Sequence, residues 1–230
     1  MSLILQIETA TTVCSVALAE GGNILAYKEV EQRNIHAEAI TIFIEDLFQT
    51  TGKQYKDLDA VAVSCGPGSY TGLRIGISAA KGLCFALDKP LIAIETLEAM
   101  TDGMIAQHTH DGDREALFCP MIDARRMEVF TAVFDRKGNR VKDTSAEIID
   151  GNSFSDLLKD NKMIFFGDGA EKCREVLGSN TNTQIIAAFQ NSARYLTKKA
   201  AQKFIAKEFE DVAYFEPYYL KDFIAGKKAL

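Results

Sequence analysis

One order of elements is written twice in this chain, and it leaves few folds open. Residues 3–8 are an apolar run ending in the carboxylate of Glu8; the turn Thr9-Ala10-Thr11-Thr12 leads into a second run over 13–20. Gly21-Gly22-Asn23 is a hairpin signal, and a third strand is predicted over 24–30. A helix follows from about Asn34, read as its N-cap, to Thr50, ended by Gly52. Next come a strand at 60–64, a helix from about Tyr70 to Leu87, a strand at 91–94 and a helix over 96–107. The polar stretch Thr109–Glu115 breaks the pattern, and the order starts again. Strand 117–123 ends in Asp123, the turn Ala124-Arg125-Arg126 follows, and strands are predicted over 127–135 and 140–148. A helix near 154–159, a strand at 163–166, the turn Gly167-Asp168-Gly169, a helix to about Leu177, a strand near 184–188 and a long helix over about 192–209 complete the half. The reading is an α/β protein of two tandem domains, 1–108 and 116–230, each β-β-β-α-β-α-β-α, with Glu8 and Asp123 at equivalent places.

The first half holds the most demanding local sequence. Ala60–Ser64 is a continuous run of small and β-branched residues, as in a strand buried on both faces. Gly66-Pro67-Gly68 stops it, and from Tyr70 the period is helical. Gly72, Gly76 and Gly82 sit inside that helix, each at a cost of about 1 kcal/mol relative to alanine. Gly68, Gly72, Gly76 and Ala80 recur every four residues and form one smooth stripe, so another backbone approaches there. Two readings stay open: a partner helix or ligand phosphate at the stripe, or tight packing on the chain's own sheet. The preceding helix carries Ile35, Ala39, Ile40, Ile42, Phe43, Ile44, Leu47 and Phe48, more apolar surface than one sheet-facing stripe needs.

Several chemistries are excluded by pattern. Gly72 is followed by Leu73-Arg74, so no P-loop lysine is present, and Thr71 stands where a dinucleotide fingerprint needs its third glycine. A formal charge of −6 and the lack of a basic stripe argue against gripping nucleic acid unaided. The 5 cysteines form no C-x-x-C pair, and neither a secretory signal nor a bilayer-length apolar run is found, so the expected setting is the reducing cytoplasm. His108 and His110 lack further metal ligands nearby in sequence.

The doubled plan resembles the actin, hexokinase and Hsp70 (ASKHA) superfamily of paired ribonuclease-H-like domains. There, two hairpin turns carry a carboxylate and glycines and hold ATP phosphates on backbone amides. Here the equivalent turns, Thr9-Ala10-Thr11 and Ala124-Arg125-Arg126-Met127, have no glycine. Arg125 and Arg126 remain able to clamp a phosphate through their side chains, or simply to be solvated. Four segments narrow the resemblance: residues 4–18, 66–83 (G-P-G-S-Y-T-G-L-R-I-G-I-S-A-A-K-G-L), 121–130 and 217–221 (P-Y-Y-L-K). Together they are similar to the bacterial TsaB (YeaZ) family over nearly the full length, with Glu8 where members usually carry aspartate.

The resemblance implies a role in making threonylcarbamoyladenosine beside the anticodon of tRNA. It implies a non-catalytic subunit with no cofactor and no metal, working by binding TsaD together with TsaE. It further implies a homodimer when the chain is alone, tRNA contact only through the complex, and a cytoplasmic location. TsaD's helical H-x-x-x-H metal pattern is reduced here to His36 with Ile40 in the second place. The implied partner interface lies on helices 35–50 and 70–87, at Ile35, His36, Ala39, Ile40, Phe43, Leu47, Gly68, Gly72, Arg74, Gly76 and Ala80. On that reading, arginine at Ile40 or Gly76 breaks the contact and spares the fold. The alternatives are an ATPase or small-molecule kinase using Glu8 and Asp123, a peptidase, for which no catalytic set is visible while Cys65 and Ser69 read as core and turn residues, and a purely structural homodimer.

Overall fold

The computed structural model describes residues 1–108 and 116–221. The stretch expected to join the domains, with His110, and the tail 225–230 lie outside the described residues. Two five-stranded sheets are present. In the first, β1 (Leu3–Glu8), β2 (Val13–Glu20) and β3 (Asn23–Glu31) form an antiparallel meander, turned by Gly21 and Gly22 at positive φ. β4 (Ala60–Ser64) and β5 (Leu91–Ile94) add in parallel on the other side, giving the order β3-β2-β1-β4-β5. Parallel neighbours need a crossover, and α1 (His36–Thr51) and α2 (Tyr70–Leu87) supply it. Both pack on one face of the sheet, where Ile40, Ile44 and Leu47 of α1 and Leu73, Ile77 and Ala80 of α2 meet Leu5, Ile7, Val61 and Val63.

The second sheet repeats the plan. β6 (Leu117–Asp123), β7 (Glu128–Phe134) and β8 (Arg140–Ile148) are the meander; β9 (Met163–Phe166) and β10 (Thr183–Ile186) are the parallel pair, in the order β10-β9-β6-β7-β8. This is the two-domain ASKHA fold that the doubled element order predicts.

Its helices are reduced. α4 (Ser155–Asp160) is short, and the helix expected to end near Leu177 is a 3-10 turn at Glu171–Cys173 followed by the single turn α5 (Arg174–Leu177). Asn34 is not a cap: it holds φ 61, and Ile35 stands at the N-cap position without a side-chain bond. The last helix is preceded by a 3-10 turn at Ala193–Leu196, and α6 (Thr197–Ala206) stops where Lys207 turns left-handed, short of residue 209.

The two units exchange helices. α3 (Thr96–Gln107), which precedes the second sheet in the chain, lays Leu97, Met100 and Met104 on Phe118, Ile122, Phe134 and Phe166 of that sheet. α6, which follows the second sheet, returns to the first: Leu196 and Ala200 pack on Ile4, Ala60, Ala62, Ile92 and Ile94. Lys198 reaches Asp102 at 2.6 Å and so ties α6 to α3. The destination of the last helix was open from sequence alone, because an amphipathic helix does not say which sheet it covers.

Candidate partner face and interdomain cleft

Three glycines of α2 meet three environments. A Cβ at Gly72 would sit 2.1 Å from the Thr9 carbonyl oxygen, and one at Gly76 would sit 2.2 Å from Thr9 Oγ1. Gly68 lies in the turn before the helix, where a Cβ would come 2.5 Å from the Ala10 carbonyl oxygen. The stripe is therefore filled by the β1–β2 turn of the chain itself. It does not face outward, and Gly68, Gly72, Gly76 and the buried Ala80 are corrected from partner contacts to internal packing. A Cβ at Gly82, by contrast, would meet nothing within 4 Å among the described residues beyond its own turn of helix.

The outward face of α2 is a different set, which reading the stripe alone missed. Thr71, Ser78, Gly82 and Ala86 are exposed, Ile75 and Ala79 are half-buried, and Phe85 is 86% exposed. Gly82 stands about 120° around the helix from Gly76. That angular offset is the signal by which the second face is legible in sequence.

α1 follows the same rule. His36, Ala39, Ile40 and Leu47 are buried in the core, Ile40 at 3% exposure, while Ile35 and Phe43 are only partly covered. Ala37, Thr41, Glu45 and Ile42, the last 57% exposed, form the outer face. Arginine at Ile40 or Gly76 would thus enter the core, and the expectation that the fold survives it is withdrawn. Arg74 does stand at the surface, over the Tyr70 ring at 4.1 Å and donating from Nε to Tyr219 Oη at 3.0 Å.

The residues considered for catalysis have structural partners. Ser69 is the N-cap of α2, its Oγ accepting from the Gly72 amide at 3.2 Å. Burial pushes the Cys65 thiol up to about 12, far from a reactive thiolate. His36 opens α1 with Nε2 at 3.3 Å from the Val13 carbonyl oxygen. Among the described residues no His, Cys, Asp and Glu cluster suits a metal ion.

Glu8 is sealed, with 0% exposure. Its Oε1 accepts from the Ala10 amide at 2.6 Å and from Ser64 Oγ at 2.9 Å. Desolvation pushes its pKa up to about 7, against the opposing pull of Ala10, Ser64 and the neighbouring Asn191. Among the described residues, Oε2 and Asn191 Nδ2 have no hydrogen-bond partner of normal geometry.

A carboxyl with a raised folded pKa holds its proton more tightly when folded. The penalty therefore grows as pH rises from about 4.5 to about 7 and is constant above that, reaching about 3 kcal/mol. Glu8→Gln keeps an acceptor for both donors. Urea unfolding should find it more stable than the parent at pH 8, by up to about 3 kcal/mol, and no more stable at pH 4.5. Equal stability of the two proteins at pH 8 would show that Glu8 ionises without cost.

Between the two units lies a cleft of about 860 Å³, walled by Thr11, the start of α2, the β6–β7 turn and residues 218–221. Arg33, Arg125 and Arg126 line it. Asp123, the counterpart of Glu8, is exposed and engaged: its Oδ1 accepts from the Arg125 amide at 2.8 Å and from Lys172 Nζ. Arg125 and Arg126 hold φ of 71° and 49°, a backbone region that disfavours a side chain by about 1–2 kcal/mol per residue.

Two paired ribonuclease-H-like sheets with an interdomain cleft define a protein of the ASKHA class. Comparison narrows this. The family model described as "TsaD: tRNA N6-adenosine threonylcarbamoyltransferase" matches residues 29–225. The Escherichia coli tRNA threonylcarbamoyladenosine biosynthesis protein TsaB is 38% identical over 138 residues, 60% of this chain and 57% of that protein. The Haemophilus influenzae protein of the same name is 28% identical over 234 residues, 98% of this chain and 96% of that one. The structure of YeaZ from Pseudomonas aeruginosa superposes with a TM-score of 0.80 at 24% identity, over 96% of this chain and 100% of that chain. The chain belongs to the TsaB/YeaZ family.

Proposed function

We propose that this protein is a non-catalytic subunit in the synthesis of threonylcarbamoyladenosine on tRNA, and that it works by binding TsaD through the outer faces of α1 and α2. The names of its relatives support the pathway. The observation that carries the mode of action is the exposed face of Ile42, Ser78, Gly82 and Phe85, where two neighbouring helices leave apolar and small residues uncovered. Small residues admit a partner helix at close range, and an exposed phenylalanine supplies an anchor. Arg74, Ile35 and Phe43 are assigned to the margin of this face, within the unit 1–108.

TsaE joins the same assembly, the free protein pairs with itself through the same face, and tRNA is held by the other subunits in the cytoplasm. The acidic balance of the chain fits a subunit that leaves RNA to its partners. No helix among the described residues is long and apolar enough to cross a membrane.

An ATPase using Glu8 and Asp123 would need both carboxylates open to the cleft, whereas Glu8 is buried and Asp123 is paired with Lys172. In reconstituted threonylcarbamoylation of tRNA, Glu8→Gln and Asp123→Asn should therefore keep the parental rate per folded protein. Loss of modification in a well-folded variant would return the ATPase reading.

A further inference from the structure

We infer that residues 210–221 form a clasp that lifts off the body of the protein as one piece, and that this clasp is the movable wall of the interdomain cleft. The segment contains P-Y-Y-L-K (217–221), a stretch that stands out in the sequence and that the outer faces of α1 and α2 leave without a role. It forms no helix or strand, and none of its residues is fully buried. Of its side chains, Val212 and Phe215 pack against the first core.

A turn that carries its own bonds makes it one piece. Asp211 Oδ1 accepts from the amides of Ala213 at 2.8 Å and Tyr214 at 3.2 Å, and the Phe215 amide donates to the Asp211 carbonyl at 2.8 Å. None of these bonds leaves the turn, so it keeps its shape whether or not it is seated. Two of its carbonyls converge on one cation: Lys81 Nζ of α2 donates to Ala213 at 3.2 Å and to Phe215 at 3.0 Å.

The rest is held at a few points. Glu210 N–H donates to the Leu91 carbonyl at 2.9 Å, an isolated bridge on the outer edge of β5. Tyr218 N–H donates to the Cys65 carbonyl at 2.7 Å, and a Cβ at Gly66 would come 2.5 Å from the Tyr218 carbonyl oxygen, so the two backbones lie in contact. The Tyr219 ring centroid lies 4.9 Å from that of Tyr70, and its hydroxyl takes the Arg74 bond. Lys221 then crosses to Glu128 of the second unit, and residues 218–221 line the cleft. A segment with few buried apolar groups and scattered hydrogen bonds near solvent opens at lower free energy than the sheets beneath it. Lys81 and Arg74 both stand on α2, so the clasp links that helix to the cleft. The inference is independent of what binds the outer face of α2.

The test is native-state hydrogen exchange of the full chain, read by NMR at single amides. In the parent, the Glu210, Phe215 and Tyr218 amides should exchange at least about 100-fold faster than those of Ile7 and Val61 in the central strands. Lys81→Met removes the cation and keeps its stem. All three clasp amides should then quicken by one common factor of about tenfold, with Ile7 and Val61 unchanged. Glu128→Gln, made on the far side of the cleft, should quicken the same three by about two- to fivefold, as an exposed ion pair allows. Acceleration confined to Phe215 in Lys81→Met would overturn the single piece and leave only a local contact. Parental clasp amides as slow as Ile7 and Val61, or a Lys81→Met protein that quickens at all five, would overturn it by making the segment part of the cooperative core. Parental clasp rates in Glu128→Gln would overturn its place as the wall of the cleft.

Discussion

Alanine at Gly72 is expected to destabilise the protein by about 2–4 kcal/mol, alanine at Gly76 by less, and alanine at Gly82 to stabilise it by about 1 kcal/mol. All three sit in one helix, where intrinsic propensity favours alanine by the same amount each time. What separates them is the neighbour. The new methyl at Gly72 would lie 2.1 Å from the Thr9 carbonyl oxygen, a backbone atom at the end of β1 that moves only with its strand. At Gly76 it meets the Thr9 hydroxyl at 2.2 Å, which a rotamer change withdraws, although Thr9 Cβ and Cγ2 still lie at 3.3 Å. At Gly82 it meets nothing within 4 Å among the described residues beyond its own turn of helix. Denaturant midpoints of the three variants measure the ranking. Equal effects at Gly72 and Gly82 would contradict the close approach of α2 to the β1–β2 turn.

Gly82→Arg and Ile42→Arg, singly or together, are expected to leave the melting transition within a few degrees of the parent and to weaken TsaD binding about 100-fold or more. Both positions point away from the core. A long charged side chain there blocks close helix approach and must be desolvated in any interface. Ile40→Arg supplies the contrast: it buries a charge at 3% exposure and should unfold the chain. Binding by surface plasmon resonance, reported with circular dichroism of each variant, separates a lost contact from a lost fold. Folded double variants that bind TsaD normally would move the interface elsewhere.

The doubled order of elements was legible because strands 3–8, 60–64 and 117–123 are continuous apolar runs with clear punctuation, and nearly every strand lies within two residues of its expected place. The helices of the second half were less so. Residues 171–177 carry too few apolar positions to show that only about two short turns form, and Asn34 has the chemistry of a cap while its backbone takes the left-handed form instead. The candidate site was half legible. The glycine stripe correctly signals a close backbone approach, yet spacing alone does not distinguish the chain's own β1–β2 turn from a partner helix. Likewise the apolar excess of α1 identified the helix but not its outer residues, because Ile40 and Ile42 are chemically alike and differ only in the direction they face. Arg125 and Arg126 are visible as an unusual turn sequence, whereas their shared left-handed backbone is a property of the fold.

The most direct test of the proposed role is multi-angle light scattering after gel filtration, on the chain alone and mixed with TsaD from the same cell, for the parent and for Gly82→Arg. One face serving both contacts requires a parental homodimer that gives way to a one-to-one complex with TsaD, and a folded Gly82→Arg protein that stays monomeric in both runs. A parent that remains unchanged in mass on adding TsaD would contradict the partner role, and a Gly82→Arg protein that still forms both species would contradict the assigned face.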